Sequence, residues 1–228
     1  MDTSSVAYTY PEVFILESLD VEDEEKERFE GRILYRMLKL AGKRPKYYYF
    51  RTQAELEMLA QTFLDTQYRF LHLSCHGTGN GVKTTLDEVS NVQFAKIFQG
   101  KLKNRRLFIS ACETGNELFS ECIFGQNRGM YSIVAPIEQI RFDYAAAIWN
   151  SLYIKIFSEN SSYIKNKTIK QALCNLSNMF NVKFHWSYHD TYAKGITHQK
   201  ISPRPRANKS IKTPTKSVGW DALPRAPY

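Results

Sequence analysis

The chain has 228 residues, of which 43% are hydrophobic and 24% charged, with a net charge of +8. That balance suits one large core-forming domain with or without an appendage, and excludes a disordered or fibrous chain. No apolar run reaches bilayer-spanning length, Met1–Ser5 carry neither a basic nor an apolar signal region, and Cys75, Cys112, Cys122 and Cys174 lack framework spacing, so the expectation is a reduced, cytoplasmic protein with no membrane span.

The first element in chain order is Val13–Leu16, an unbroken apolar run that reads as a strand buried on both faces. One helix is expected next, its early turns holding the acids Glu22–Glu25. Its apolar face is Phe29, Ile33, Leu34, Met37, Leu38 and Ala41, and it closes at Gly42 beside Lys39, Lys43 and Arg44. Tyr47–Phe50 is a second strand, and Thr52 caps a helix carrying Leu56, Met58, Leu59, Phe63 and Leu64. Phe70–Ser74 is a third strand, followed by a glycine-rich loop over His76–Gly81 and a helix over Val92–Leu102. Leu107–Ser110 is a fourth strand, Leu118–Phe124 a short helix and Tyr131–Ala135 a fifth strand ending at Pro136. Helices are expected over Phe142–Phe157 and Thr168–Phe180, while the aromatic stretch from there to His198 carries no readable period. Strands alternating with helices predict an α/β fold: a mostly parallel open sheet with helices on both faces.

Residues 1–199 form the expected domain, and 200–228 a basic, Pro- and Lys-rich tail that is expected to be disordered. Seven Lys/Arg against Asp221 give this tail +6 of the net +8, leaving the body at +2. Basic character therefore belongs to the appendage. Nucleic-acid or membrane-surface contact by the tail and an activation role compete with a solubilising linker, which the composition favours. Trp220 stands out in so polar a segment.

Two strands end alike. Phe70–Ser74 runs into Cys75-His76-Gly77, and Leu107–Ser110 into Ala111-Cys112-Glu113-Thr114-Gly115. In an open α/β sheet, reactive groups gather beyond the carboxyl ends of the strands. Neighbouring strands of this kind would aim His76 and Cys112 into one cleft, as a thiol nucleophile and its base require. A lone cysteine is more often a buried structural residue and a lone histidine a hydrogen-bonded surface group; the matching strand-end positions are what favour chemistry here. Gly77 leaves its amide unobstructed, so the amides of Gly77 and Cys112 are the expected oxyanion hole, with the turn Thr114–Asn116 as a further source of donors.

Three other readings are weaker. The loop His76–Gly81 could cradle a phosphate, but it lacks a P-loop lysine and a helix start. Cys75, His76, Cys112 and His185 or His189 could bind zinc, but without short paired spacing. Cys75 could itself be the nucleophile, but it alternates with His76 and should face the other way. No cofactor is expected.

His76-Gly77 after one apolar strand and Ser110-Ala111-Cys112-Glu113-Thr114-Gly115 after the next resemble the CHAT family of caspase-like cysteine peptidases, over roughly Val13 to Phe180. The resemblance implies a caspase–hemoglobinase-like three-layer sandwich, a His76/Cys112 dyad and a protein substrate. It also implies a latent protease of bacterial antiviral defence or cell death, awaiting a separate sensor or activator protein. Metacaspase-type relatives carry an acid two residues before the nucleophile, where this chain has Ser110. Asp20 or Asp143 could replace that acid, or Arg141 could reverse the preference, so the residue preceding the cleaved bond (P1) stays open. A non-catalytic binding or signalling module on the same fold is the alternative.

Overall fold

A computed structural model describes residues 8–159, 165–190 and 195–205. Seven strands form the main sheet in the order β10-β9-β8-β7-β3-β1-β2. Its parallel part comprises β1 (Tyr10–Glu17), β2 (Lys46–Tyr49), β3 (Tyr68–Ser74), β7 (Arg106–Ser110) and β8 (Ser132–Pro136). The aromatic stretch that gave no period forms β9 (Phe184–Asp190) and β10 (Gly195–Ile201), an antiparallel pair added to the edge of β8. There Trp186 and Phe184 enter the core while Ser187 is buried through its bonds to Ser120 Oγ and His198 Nδ1, both at 2.9 Å. Buried polar residues mask the alternation.

Residue alternation divides the core into two layers. Phe14, Leu16, Leu71, Leu73, Leu107 and Ile109 face α3 (Gln53–Thr66), α4 (Asn91–Ile97) and α5 (Glu117–Gln126). Val13, Ile15, Phe70, Phe108 and Val134 face α2 (Glu30–Leu40), α6 (Phe142–Glu159) and α7 (Asn166–Phe180). The three-layer α/β sandwich expected from the sequence is the fold observed.

The long helix expected after the first strand is broken in two. α1 (Val21–Glu25) is capped by Asp20, whose Oδ1 accepts from the Asp23 amide at 2.8 Å, and the chain then turns through Glu27 in the left-handed region (φ 54°). α2 starts afresh with no cap from its own N-terminal residue. Its first amides donate instead to the buried Glu17 carboxylate at the end of β1, Gly31 N at 2.6 Å and Arg32 N at 3.2 Å. A carboxylate at a helix N-terminus is favoured by the unsatisfied amides and the dipole.

The glycine-rich segment is no loop either. His76–Thr78 (β4), Gly81–Lys83 (β5) and Glu88–Ser90 (β6) make a small antiparallel sheet standing on the carboxyl edge of the main one. β10 carries the main sheet through Ile201, which is buried, past residue 199 where composition drew the boundary. From Arg206 onward the basic tail, Trp220 included, lies outside the described residues.

Candidate active site

β3 and β7 are hydrogen-bonded neighbours with Ser74 opposite Ser110, so the segments that follow them leave the sheet side by side. Both His76 and Cys112 border one cleft of about 290 Å³, along with Glu30, Ser74, Ser110 and Ile140. Gly77 is pressed onto the turn that presents the thiol: a Cβ there would lie 2.5 Å from Cys112 O, 2.8 Å from Thr114 Cγ2 and 2.9 Å from Ala111 Cβ. Only a glycine fits. Asn116 adds a second tie, donating from Nδ2 to Glu113 O at 3.2 Å and to Gly79 O at 3.3 Å across to the small sheet.

Cys112 precedes a strained residue, Glu113, whose φ of 62° is uncommon for a side chain of that size. The kink lifts the thiol off the strand axis toward the β8–α6 connection, where Ile140 N donates to Sγ at 3.4 Å. A backbone N–H aimed at sulfur offers a hydrogen bond to a thiolate. Further along the turn, the amides of Gly115 and Asn116 are already bonded, to Pro136 O and Thr114 O at 2.9 Å each. Those two are therefore not oxyanion donors, which corrects the expectation for that part of the turn.

The partner of His76 was not legible in the sequence. Asp23 Oδ2 lies 2.7 Å from His76 Nε2, while Asp23 Oδ1 accepts from Arg28 Nη1 at 2.6 Å. Asp23 is buried, so this bond is shielded from water. With Nε2 directed at a carboxylate, Nδ1 is the ring nitrogen left for the thiol. The Phe142 ring stands edge-on to the imidazole, centroids 5.8 Å apart, and fixes its plane. The break between α1 and α2 is what brings Asp23 under His76, and a reading that ran the two helices together could not see it.

The other residues predicted for the substrate pocket are dispersed. Ser110 is buried and lines the cleft behind Cys112. Asp20 is exposed, with Oδ2 3.5 Å from His76 Nε2, and borders a second cleft on the far side of β4. Arg141 and Asp143 are exposed and pair with each other, Nη2 to Oδ2 at 2.6 Å, and neither lines the cleft that holds Cys112. The acid in that cleft is Glu30, which the sequence reading did not single out. Its signal was present: Glu30, Leu34 and Leu38 recur every fourth residue, so a carboxylate occupies the apolar stripe of α2.

Cys75 joins the core layer on the α3–α5 face, and burial, followed by the proximity of Cys112 and Glu30, pushes its thiol far above the ordinary range. It is a poor nucleophile. His185 and His189 sit on β9, which β8 separates from β7, so the zinc grouping weighed as a weaker reading does not come together around Cys112. Among the described residues, Asp20, Asp23 and His76 bring three ligand-type atoms within 4.8 Å, but Asp23 is already bonded to Arg28 and His76.

No protein-family model and no curated protein matches the sequence. Solved structures do. The Arg-specific cysteine proteinase gingipain R aligns with a TM-score of 0.51 at 12% identity, over 75% of this chain and 43% of its own. A secreted C11 cysteine protease from Bacteroides thetaiotaomicron, iotapain, aligns at 0.50 and 10% identity over 79% of this chain and 66% of its own. A C11 protease from the same organism, bound to an irreversible peptide inhibitor, gives 0.53 at 8% identity over 78% of this chain and 66% of its own. The fold is therefore that of the clan CD cysteine peptidases, the caspase–hemoglobinase fold. This chain spans about two fifths to two thirds of the length of these neighbours.

Proposed function

We propose that this protein is a cysteine endopeptidase with Cys112 as nucleophile and His76 as general base and then general acid. The observation that carries the reading is the single cleft bordered by both side chains at adjacent strand ends, with Gly77 seated on the Cys112 carbonyl. His76 Nδ1 takes the thiol proton, and the thiolate attacks the carbonyl carbon of the scissile bond. The oxyanion is held by the amides of Gly77 and Cys112. As the C–N bond breaks, the leaving amine takes the proton from His76 and a thioester remains. Water, deprotonated by His76, then displaces the sulfur and releases the carboxylic acid, and the Cys112 thiolate takes the proton back from His76. Asp23 accepts a hydrogen bond from Nε2–H, fixes the tautomer and stabilises the imidazolium.

Within this fold, the Ser110–Gly115 block supports membership of the CHAT group, and with it latency until a separate sensor protein licenses cleavage in a defence or cell-death response. New protein N-termini in cells expressing the wild type, Cys112→Ala or His76→Ala test the peptidase reading. Termini unique to the wild type are expected, each substitution lowering turnover by about 10³-fold or more. Near-normal cleavage by either variant would overturn the dyad, and identical termini in all three, with every candidate sensor co-expressed, would favour the non-catalytic module.

A further inference from the structure

Glu30 has no part in the dyad, yet it is the most unusual group in the cleft. It is 2% exposed and opens α2 beneath the ends of β3 and β7. Its Oε2 accepts from Ser74 Oγ at 2.6 Å. Oε1 is buried without a hydrogen-bond partner. The nearest base, His72 Nε2, is 3.4 Å from Oε1 but outside hydrogen-bonding geometry, and both ring nitrogens of His72 are themselves unpartnered. A buried carboxylate with one hydroxyl partner and a bare oxygen is costly unless a cation or further donors complete it.

The cleft wall brings no Lys or Arg to it, and Ser74, Ser110 and Gln139 supply only neutral polar groups around Glu30. The negative field of Glu30 is felt nearby, where burial first and this carboxylate second push the Tyr153 phenol up. Asp23 is engaged with Arg28 and His76, Glu17 with the α2 amides and Tyr47, and Asp143 with Arg141.

We propose that Glu30 determines substrate specificity: the cleft receives the lysine or arginine side chain of P1, and its cation pairs with the Glu30 carboxylate. This rests on the peptidase reading above. Cys112 attacks the carbonyl of the residue whose side chain fills the cleft, so the carboxylate that pairs the side chain and the sulfur that cuts the backbone share one cavity. An ammonium or guanidinium paired with a buried carboxylate makes the strongest class of protein hydrogen bond. An aspartate at P1 would meet a like charge instead, and a leucine would leave the carboxylate unpaired. Ser110, with no charge of its own, adds a hydroxyl to the wall of the same cavity.

Peptidyl acyloxymethyl ketones identical except for Arg, Lys, Leu or Asp at P1 test this, with the rate of Cys112 labelling read by intact mass. The Arg and Lys probes are expected to label the wild type about tenfold or more faster than the Leu and Asp probes. Glu30→Gln, verified as folded by near-UV circular dichroism, is expected to slow the Arg and Lys probes by about 100-fold. Fastest labelling by the Leu or Asp probe, or a basic preference that survives Glu30→Gln, would overturn the assignment while leaving the peptidase intact. The wild-type comparison stands even if the variant does not fold. If no peptidyl probe outpaces chloroacetamide even in cells co-expressing every candidate sensor, the peptidase reading fails and this assignment falls with it.

Discussion

Gly77 and Asp23 act on the dyad from opposite sides, and their substitutions separate two kinds of loss. A methyl group on Gly77 would meet the Cys112 carbonyl at 2.5 Å, a backbone atom that cannot step aside. The strand bearing His76 must then move away from the turn bearing the thiol, and a displacement of about 1 Å at reacting groups costs on the order of 100-fold in rate. Gly77→Ala is therefore expected to lower kcat by about that factor, measured on any peptide the wild type cleaves. Asp23 touches neither substrate nor sulfur and is a positioning residue. Asp23→Asn keeps the volume but puts a possible donor against Nε2, so kcat should fall about 100-fold or more with KM little changed. Asp23→Glu should recover part of it. A matching rise in KM, or no recovery by the glutamate, would show that Asp23 only supports the loop.

At the scale of elements, the site depends on how the β7–α5 turn is tied. Asn116 Oδ1 accepts from the Phe119 amide at 2.8 Å and caps α5, while its Nδ2 bridges Glu113 and Gly79. Asn116→Asp keeps the cap and removes both bridges, so stability should stay within about 0.5 kcal/mol of wild type while activity drops several-fold. Urea unfolding and turnover on the same preparation decide it, and equal activity would make the bridges incidental. Strands β1, β3, β7 and β8 were legible because each is an apolar run stopped by small or polar residues, and that legibility carried His76 and Cys112 with it. The start of α2 was not, because its capping carboxylate, Glu17, lies in the preceding strand rather than beside the helix. Asp23 was hidden for the same reason: a run of acids before an apolar period reads as one helix until a turn at Glu27 divides it. β9 and β10 escaped because Ser187 and His185 are buried, Ser187 by bonds to Ser120 and His198 that no local period records.

Across the whole molecule, the cleft is built over a buried acid pair, and this makes its stability depend on pH. Glu17 lies at the end of β1, fully buried, and bonds Gly31 N, Arg32 N and Tyr47 Oη, the last at 2.7 Å. Burial pushes its carboxyl up from 4.5 to about 7, against the lowering effect of those donors and with a smaller push from Glu30. In the unfolded chain the group ionises near 4.5, so between there and about 7 the native state holds a proton that the unfolded state has released. The contribution of Glu17 to stability is thus full below that window, falls as pH rises through it, and is lost above about 7, a change on the order of 3 kcal/mol. Glu17→Gln mimics the protonated form and should remove this slope. Urea midpoints of the two proteins are expected to lie close at pH 5 and to separate at pH 8, with the glutamine variant the more stable. Because all other carboxyls are common to both proteins, the difference isolates Glu17. A wild type more stable than the variant at pH 8 would mean that the carboxylate is ionised in place, held by the helix amides. α2 hangs from Glu17 and carries Glu30 into the cleft, so the proton that sets this slope sits at the N-terminus of the helix that furnishes the proposed specificity residue.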